Sequence, residues 1–391
     1  MRSIPARSTR CHFGVATRDA TPPLNAYGRW WGAALHDQKR GVHRPLLTSA
    51  AVFAPIGNDG EPLVLVTIDN CVFAPQDERA LRSAICDRAA LSEAQLLLTP
   101  SHSHSSANIN TALPQLPGGE EAQPFLDYLA RAIGDAIQEA RAAAAPAWIT
   151  WGYGKCTLAR NRDYWDADAA SFACGFNPDG PQDDTLLAGR VTNDDGAMVA
   201  VLFNYACHPT TLAWDNDLYS PDYIGAAREI VTSIYAVPAL FMQGASGELG
   251  PRESYVGDPA IADRNGRQLG YAVASTLESL QPAGTTFVYQ GLRKSGADLG
   301  IWADAPLPDD AVARASTLGA MKIDVPIDLI DMPSVAELQE SLATCEDRVI
   351  QERLRRFISK RRAVGDGETF DFPLWIWKLG DAVVVAVPGE A

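Results

Sequence analysis

The sequence predicts an α/β fold, and three observations carry that reading. Short, almost wholly apolar runs recur through the first 290 residues, alanine-rich stretches with helical spacing alternate with them, and turn residues bound both. Strands that are apolar without interruption are buried on both faces, as happens when helices cover a sheet. With 391 residues, 47% hydrophobic and 21% charged, the chain has core enough for one large domain or two smaller ones. That composition excludes disordered, collagen-like and disulfide-scaffold classes.

Taken in chain order, Val64 to Ile68 and Gln95 to Thr99 are the first buried strands, and Phe125 to Ala144 is a helix. Met198 to Phe203 and Ala239 to Met242 are two further strands, and Ile261 to Leu280 a second long helix. From about Leu292 the texture changes. Pro306 to Asp310 is a turn-rich loop, and residues 292–370 read as a turn-rich and helical segment. Ser334 with Glu337 three residues on is a capping box, which opens one long helix running to about Arg362, its charges a solvated face. Phe372 to Lys378 and Asp381 to Val387 are two strands joined at Leu379-Gly380, the second reading as a buried central strand. No internal repeat or low-complexity tract is visible in the residues.

Charge and cysteine usage narrow the function. Against 48 acids there are 33 bases, a formal charge of -15, the wrong sign for a phosphate backbone or an anionic membrane. Nucleic acid is therefore not an expected partner. The longest apolar runs fall far short of the roughly 20 residues that span a bilayer, and no apolar segment follows the basic N-terminus as in a secretory signal. Seven scattered cysteines without a C-x-x-C pair suit reduced thiols, and a cytoplasmic location is expected.

Only six histidines occur, and two share the segment Pro100-Ser-His102-Ser-His104-Ser-Ser106 directly after a strand. Strand ends are where α/β folds place ligands. In extended backbone His102 and His104 share a face, so one is a candidate metal ligand and the other an acid/base or oxyanion donor. Two solvated loop histidines fit the spacing equally. Asn204-Tyr-Ala-Cys-His208-Pro-Thr210 follows another strand, and Pro209 stiffens His208 as a ligand requires, although a core histidine bonded to a backbone group fits as well. Alternation turns Cys207 away from whatever His208 faces, into the core. Gly244-Ala-Ser246-Gly247-Glu248-Leu-Gly250-Pro251 is neither a dinucleotide loop nor a nucleophile elbow. It brings Ser246 and the Glu248 carboxylate to a strand end, and both are candidates for substrate binding or for supporting a metal.

Together these segments resemble the N-terminal catalytic domain of the neutral/alkaline non-lysosomal ceramidases, a family of zinc-dependent amide hydrolases. The family's T-H-T-H-S-G-P is similar to Pro100 to Ser106, its V-H-P-T to Cys207-His208-Pro-Thr210, and its Asn-Arg-Ser to Asn161-Arg162-Asp163. Its D-I-T-P stretch is similar to Asp19-Ala-Thr21-Pro22, and its P-G-E to Pro388-Gly389-Glu390. The resemblance covers nearly the whole chain. It implies one large catalytic domain over residues 1–391, with mixed β-sheets flanked by helices. It also implies Zn2+ held by His102, His208 and Glu390, with His104 and Arg162 contacting the reacting group.

The departures shape the expected chemistry. Gly250 stands where the family has its nucleophilic serine, so the expected reaction is hydrolysis of an amide or ester with metal-bound water attacking. The alternatives are a serine hydrolase using Ser246 or Ser105, and a non-catalytic relative that binds a ligand. The family's tyrosine ligand and immunoglobulin-like domain lie beyond P-G-E, so the chain is expected to be truncated at its C-terminus. The expected substrate is a small-molecule or lipid-like amide.

Overall fold

The computed structural model describes residues 2–57 and 60–389. Its centre is one mixed eight-stranded sheet: β1 (Arg7–Asp19), β2 (Leu47–Ala54), β3 (Leu63–Ile68), β4 (Leu96–Pro100), β5 (Ala145–Lys155), β6 (Thr185–Asn193), β7 (Met198–Tyr205) and β8 (Ala239–Gln243). The strands lie in the order β8-β7-β6-β5-β1-β2-β3-β4. Four helices pack on it: α1 (Pro75–Ala89), α2 (Ala122–Ala142), α3 (Tyr223–Tyr235) and α4 (Pro259–Glu278).

The topology repeats although the sequence does not. β1 to β3 form an antiparallel meander, α1 crosses over to a parallel β4, and α2 follows. β5 to β7 form a second meander, α3 crosses over to a parallel β8, and α4 follows. The two halves join where β1 pairs antiparallel with β5.

Three hydrophobic clusters account for the layers. One joins α1 and α2 to the first half-sheet through Val64, Val66, Leu81, Ile85, Leu129 and Ile133. A second joins α3 and α4 to the other half through Val201, Phe203, Val231, Phe241 and Leu269. The third lies on the opposite face and draws on all eight strands, with Phe13, Phe53, Leu65, Leu97, Ile149, Val191, Leu202 and Leu240 among its members. A sheet covered on both faces explains why β3, Leu-Val-Leu-Val-Thr-Ile, is buried at every position. Helix α2 lies so close to β1 that a side chain at Gly14 would meet the Ala140 carbonyl oxygen at 1.9 Å, so only glycine fits there.

The C-terminal part differs from expectation in three ways. Residues 292–370 hold strands as well as turns and helices: Asp298–Pro306 pairs with Thr285–Lys294, and β9 (Leu318–Asp328) pairs with β10 (Thr369–Leu379). The long helix is two, α5 (Val335–Thr344) and α6 (Arg348–Val364). The chain turns extended at Cys345, and Asp347 caps the new helix by accepting from the backbone N–H groups of Val349 and Ile350. The capping box at Ser334 and Glu337 is present as expected. The last strand, β11 (Ala382–Ala386), is an edge strand paired, among the described residues, with β10 alone, and Val383 and Val385 point outward at 66% and 59% exposure. The sheet β9-β10-β11 closes the third cluster with Trp375, Trp377 and Leu379, and the two indole N–H groups donate to the carbonyls of Glu93 and Ala94.

Candidate metal centre

The parallel pairs β3–β4 and β7–β8 end in register, Ile68 opposite Pro100 and Tyr205 opposite Gln243. Four loops leave these ends: Asp69 to Cys71, Ser101 to Ser106, Ala206 to Thr210 and Gly244 to Glu248. They bring His102, His104 and His208 together, although more than 100 residues separate the first from the last. His102 Nε2 lies 3.0 Å from His208 Nε2, and His104 Nε2 lies 3.2 Å from the same atom. The convergence does not come from an extended strand with both histidines on one face. His102 has φ of +65°, a left-handed backbone that a non-glycine residue adopts only where its surroundings impose it, and the chain turns at His104.

The other ring nitrogens show what these histidines can do. His102 Nδ1 is 3.1 Å from the Cys71 carbonyl oxygen, and His208 Nδ1 is 3.2 Å from the Ser246 carbonyl oxygen. A carbonyl only accepts, so each Nδ1 carries the proton and each Nε2 presents a lone pair. Two lone pairs then face each other across 3.0 Å, a repulsive arrangement that a shared cation resolves. Ligand nitrogens about 2.0–2.1 Å from a zinc ion stand about 3.4 Å apart in a tetrahedron, close to the spacing found here. Imidazoles held through Nδ1 by backbone carbonyls are also how metal-binding histidines are commonly oriented. The donor set therefore fits a divalent metal.

His104 differs from the other two. Its Nδ1 is buried with no hydrogen-bond partner among the described residues, and its ring rests against Trp31 and Trp30 at centroid distances of 5.1 and 6.3 Å. Burial first, then the neighbouring His102 and His208, hold its pKa well below the ordinary histidine value, so it is neutral at pH 7.

The remaining candidates take distinct places. Asn161 and Arg162 sit against the Gly247–Pro251 turn, where Leu249–Pro251 pairs with Ala159–Asn161. The Arg162 backbone N–H donates to the Glu248 carbonyl, its Nε donates to the Gly247 carbonyl at 2.9 Å, and its charge reaches His104. Ser246 reaches the centre through its carbonyl, while its hydroxyl accepts from Gln243 Nε2 at 2.7 Å. Glu248 is exposed, and its backbone holds Arg162. Ser105 is buried, its hydroxyl accepting from Asn216. Cys207 is buried in the core behind His208, where burial pushes its thiol well up. Glu390 lies outside the described residues.

Several residues of the centre escaped sequence reading. The Cys71 thiol lies 3.8 Å from His102 Nδ1, and the ligand atoms of Cys71, His102 and His104 lie within 4.8 Å of one another. The strand-end signal that marks His102 also applies to Cys71, three residues after β3. Trp31, Trp214 and Tyr255 form an aromatic wall beyond His104, with centroid distances of 5.7 to 6.4 Å. Helix α6 clamps the loop that carries Trp30 and Trp31. Glu352 accepts from Tyr27 Oη at 3.0 Å and pairs with Arg29, while Arg356 donates to the Trp30 carbonyl.

A family model described as "Neutral/alkaline non-lysosomal ceramidase, N-terminal" matches residues 12–237, more than half of the chain. The chain belongs to the neutral/alkaline ceramidase family. The matched residues include His102, His104, Arg162 and His208, and exclude the Gly244–Pro251 turn and Glu390. Two solved ceramidase structures share the fold. One, described as ceramidase complexed with C2, has a TM-score of 0.66 at 14% identity and covers 99% of this chain and 64% of its own. The other, neutral ceramidase from Pseudomonas aeruginosa, has a TM-score of 0.64 at 15% identity, with 99% and 63% covered. The chain thus spans under two thirds of the length of these ceramidases. Among curated proteins, none matches it. No helix among the described residues is long and apolar enough to cross a membrane.

Proposed function

We propose that this ceramidase-family chain carries the catalytic centre of a zinc-dependent hydrolase that cleaves an amide, or an ester, of a small or lipid-like molecule. The observation that carries the reading is the pair of Nε2 lone pairs, on His102 and His208, locked face to face by the Cys71 and Ser246 carbonyls. Those two histidines would hold the ion, with Glu390, outside the described residues, as a further proposed ligand. Zinc, when bound, polarises a carbonyl and makes water nucleophilic near neutral pH.

The other roles follow from what surrounds each group. His104, whose Nδ1 no carbonyl holds among the described residues, is the proposed general acid/base, which would move a proton between attacking water and leaving amine. Arg162, held by the Gly247 carbonyl, stabilises negative charge growing on the substrate oxygen. Ser246 acts through its carbonyl by fixing the His208 tautomer, and Glu248 supports Arg162 through its backbone. The aromatic wall of Trp31, Trp214 and Tyr255 borders the substrate and excludes water. A serine nucleophile is disfavoured because Ser246 and Ser105 are buried, their hydroxyls held by the Gln243 and Asn216 side-chain amides. All seven cysteines remain thiols, which supports placing the protein in a reducing compartment such as the cytoplasm.

Elemental analysis of the purified protein tests the reading, with one zinc per chain expected. His102→Ala and His208→Ala each lose most of the metal, whereas His104→Ala keeps it and loses at least about 100-fold in turnover of an N-acyl amide. A metal-free wild-type protein, or full zinc in both ligand variants, rejects it.

A further inference from the structure

Away from the histidines, helices α5 and α6 meet the first turns of α1 and the 110–115 loop around a cavity of 460 Å³. Its lining runs against the charge of the molecule. The chain carries 48 acids and 33 bases, yet none of the described side chains lining this cavity is acidic, while Arg79, Arg355 and Arg362 all border it. Arg79 and Arg362 are exposed and form no ion pair among the described residues, and the one ion pair of Arg355 is a long 3.8 Å contact with Glu352. The neighbouring carboxylates are engaged elsewhere: Glu78 pairs with Arg82, and Asp77 accepts from the backbone and hydroxyl of Thr111. Gln76, Asn110 and Ser359 add neutral donors to the same wall.

Three arginines bordering one concave space, with no acidic side chain among its described lining, make a locally positive setting that favours an anion. Arg is the side chain whose planar fork binds phosphate oxygens in pairs. The positive end of the α1 macrodipole points into the same space, since Pro75 and Gln76 open that helix and also line the cavity. We propose that this cavity is an anion site for a phosphoryl group, bound by Arg79, Arg355 and Arg362. It stands independently of the hydrolase reading. Helix α6 serves both places, presenting Arg355 and Arg362 to the cavity and Arg356 to the Trp30 loop.

The phosphoryl group has two sources, a soluble phosphate compound or a lipid headgroup, and two arms of one experiment separate them. Inorganic phosphate is titrated calorimetrically into the full chain at low ionic strength. In parallel the chain is sedimented with phosphatidylcholine vesicles with and without phosphatidic acid. Saturable phosphate binding is expected in the wild type. The Arg79→Gln/Arg362→Gln double variant weakens it at least about tenfold, while Arg267→Gln, an exposed arginine on α4, leaves it unchanged. Retention by phosphatidic acid vesicles that the double variant abolishes assigns the group to a lipid, and phosphate binding without retention assigns it to a soluble compound. The proposal is overturned if neither arm shows binding, if the double variant binds as the wild type does, or if Arg267→Gln weakens binding equally. All three arginines project from helix surfaces, so thermal melts of the variants matching the wild type keep a loss of binding interpretable.

Discussion

The carbonyl oxygens of Cys71 and Ser246 decide what each histidine of the centre can do. Because they accept hydrogen bonds from Nδ1 of His102 and His208, the Nε2 atoms of those rings present lone pairs as the proposed metal ligands, while His104, whose Nδ1 has no such partner among the described residues, is the proposed proton carrier. The same scale shows what Gly250 leaves out. A Cβ built there meets nothing closer than Arg162 Cδ at 3.6 Å and Thr210 Oγ1 at 3.7 Å, both ordinary contacts, and its φ is not positive. Gly250→Ser should therefore fold normally, changing stability by less than about 1 kcal/mol. It should also place a hydroxyl beside Arg162, where the family has its nucleophile. A fluorophosphonate probe followed by peptide mass spectrometry is expected to label the introduced serine in the variant and no serine in the wild type. Label on Ser246 or Ser105 of the wild type, or an unlabelled variant, contradicts this reading of the turn.

At the scale of elements, α3 shows how a crossover helix is anchored behind the centre. Its N-cap Asp222 is fully buried, and its carboxylate accepts from the backbone N–H groups of Leu212 and Tyr223. Burial outweighs those bonds and raises its pKa from 3.8 to about 6. Between those two values the folded chain binds more protons than the unfolded one, so stability is fullest below about pH 4. It falls as pH rises through about 6 and is flat for this group above that. At about 1.36 kcal/mol per unit the loss is about 3 kcal/mol. Asn at position 222 keeps one acceptor and carries no charge. Chemical denaturation of wild type and Asp222→Asn at about pH 4 and pH 7 should show the wild type losing stability relative to the variant by that amount. A difference independent of pH refutes it.

Elements also show what was legible in the residues. β3, β4, β7 and β8 read clearly because helices cover one face and the shared core the other, which makes them short and apolar. β1 and β5 did not, since Arg10, His12 and Arg18 interrupt one, and Gly152, Tyr153 and Gly154 the other. The break between α5 and α6 rests on Asp347, an N-cap inside a charged stretch that otherwise reads as continuous helix. His102 and His208 were legible because each directly follows a strand that was itself legible. Trp31, Trp214 and Tyr255 come from three distant loops, and no local pattern records that folding sets Trp31 against His104 and packs the other two edge-on to it.

On the scale of the whole molecule, the centre sits where the two outer strand pairs of the sheet, β3–β4 and β7–β8, bring their ends together, and the halves contribute in a crossed manner. In the first half the loop after β4 supplies the proposed ligand His102, and the loop after β3 supplies the carbonyl that orients it. In the second half the loop after β7 supplies His208, and the loop after β8 its carbonyl. The site therefore exists only while both halves hold their mutual position, and the third cluster, to which all eight strands contribute, fixes that position. Trp377 is its keystone from outside the sheet, 1% exposed, edge-on to Phe53 at 6.5 Å and bonded to the Ala94 carbonyl just ahead of β4. Removing it leaves a cavity in the third cluster beside Phe53 and should cost about 3–5 kcal/mol. Because the proposed ligands belong to different halves, Trp377→Ala should also release bound zinc at the same denaturant concentration at which the sheet unfolds, with both midpoints shifted down together. Circular dichroism and a zinc-release dye followed in one titration make the comparison. Zinc leaving well before the sheet unfolds, in wild type or variant, would mean that the loops hold the ion without the core, and the coupling between halves and site would be wrong.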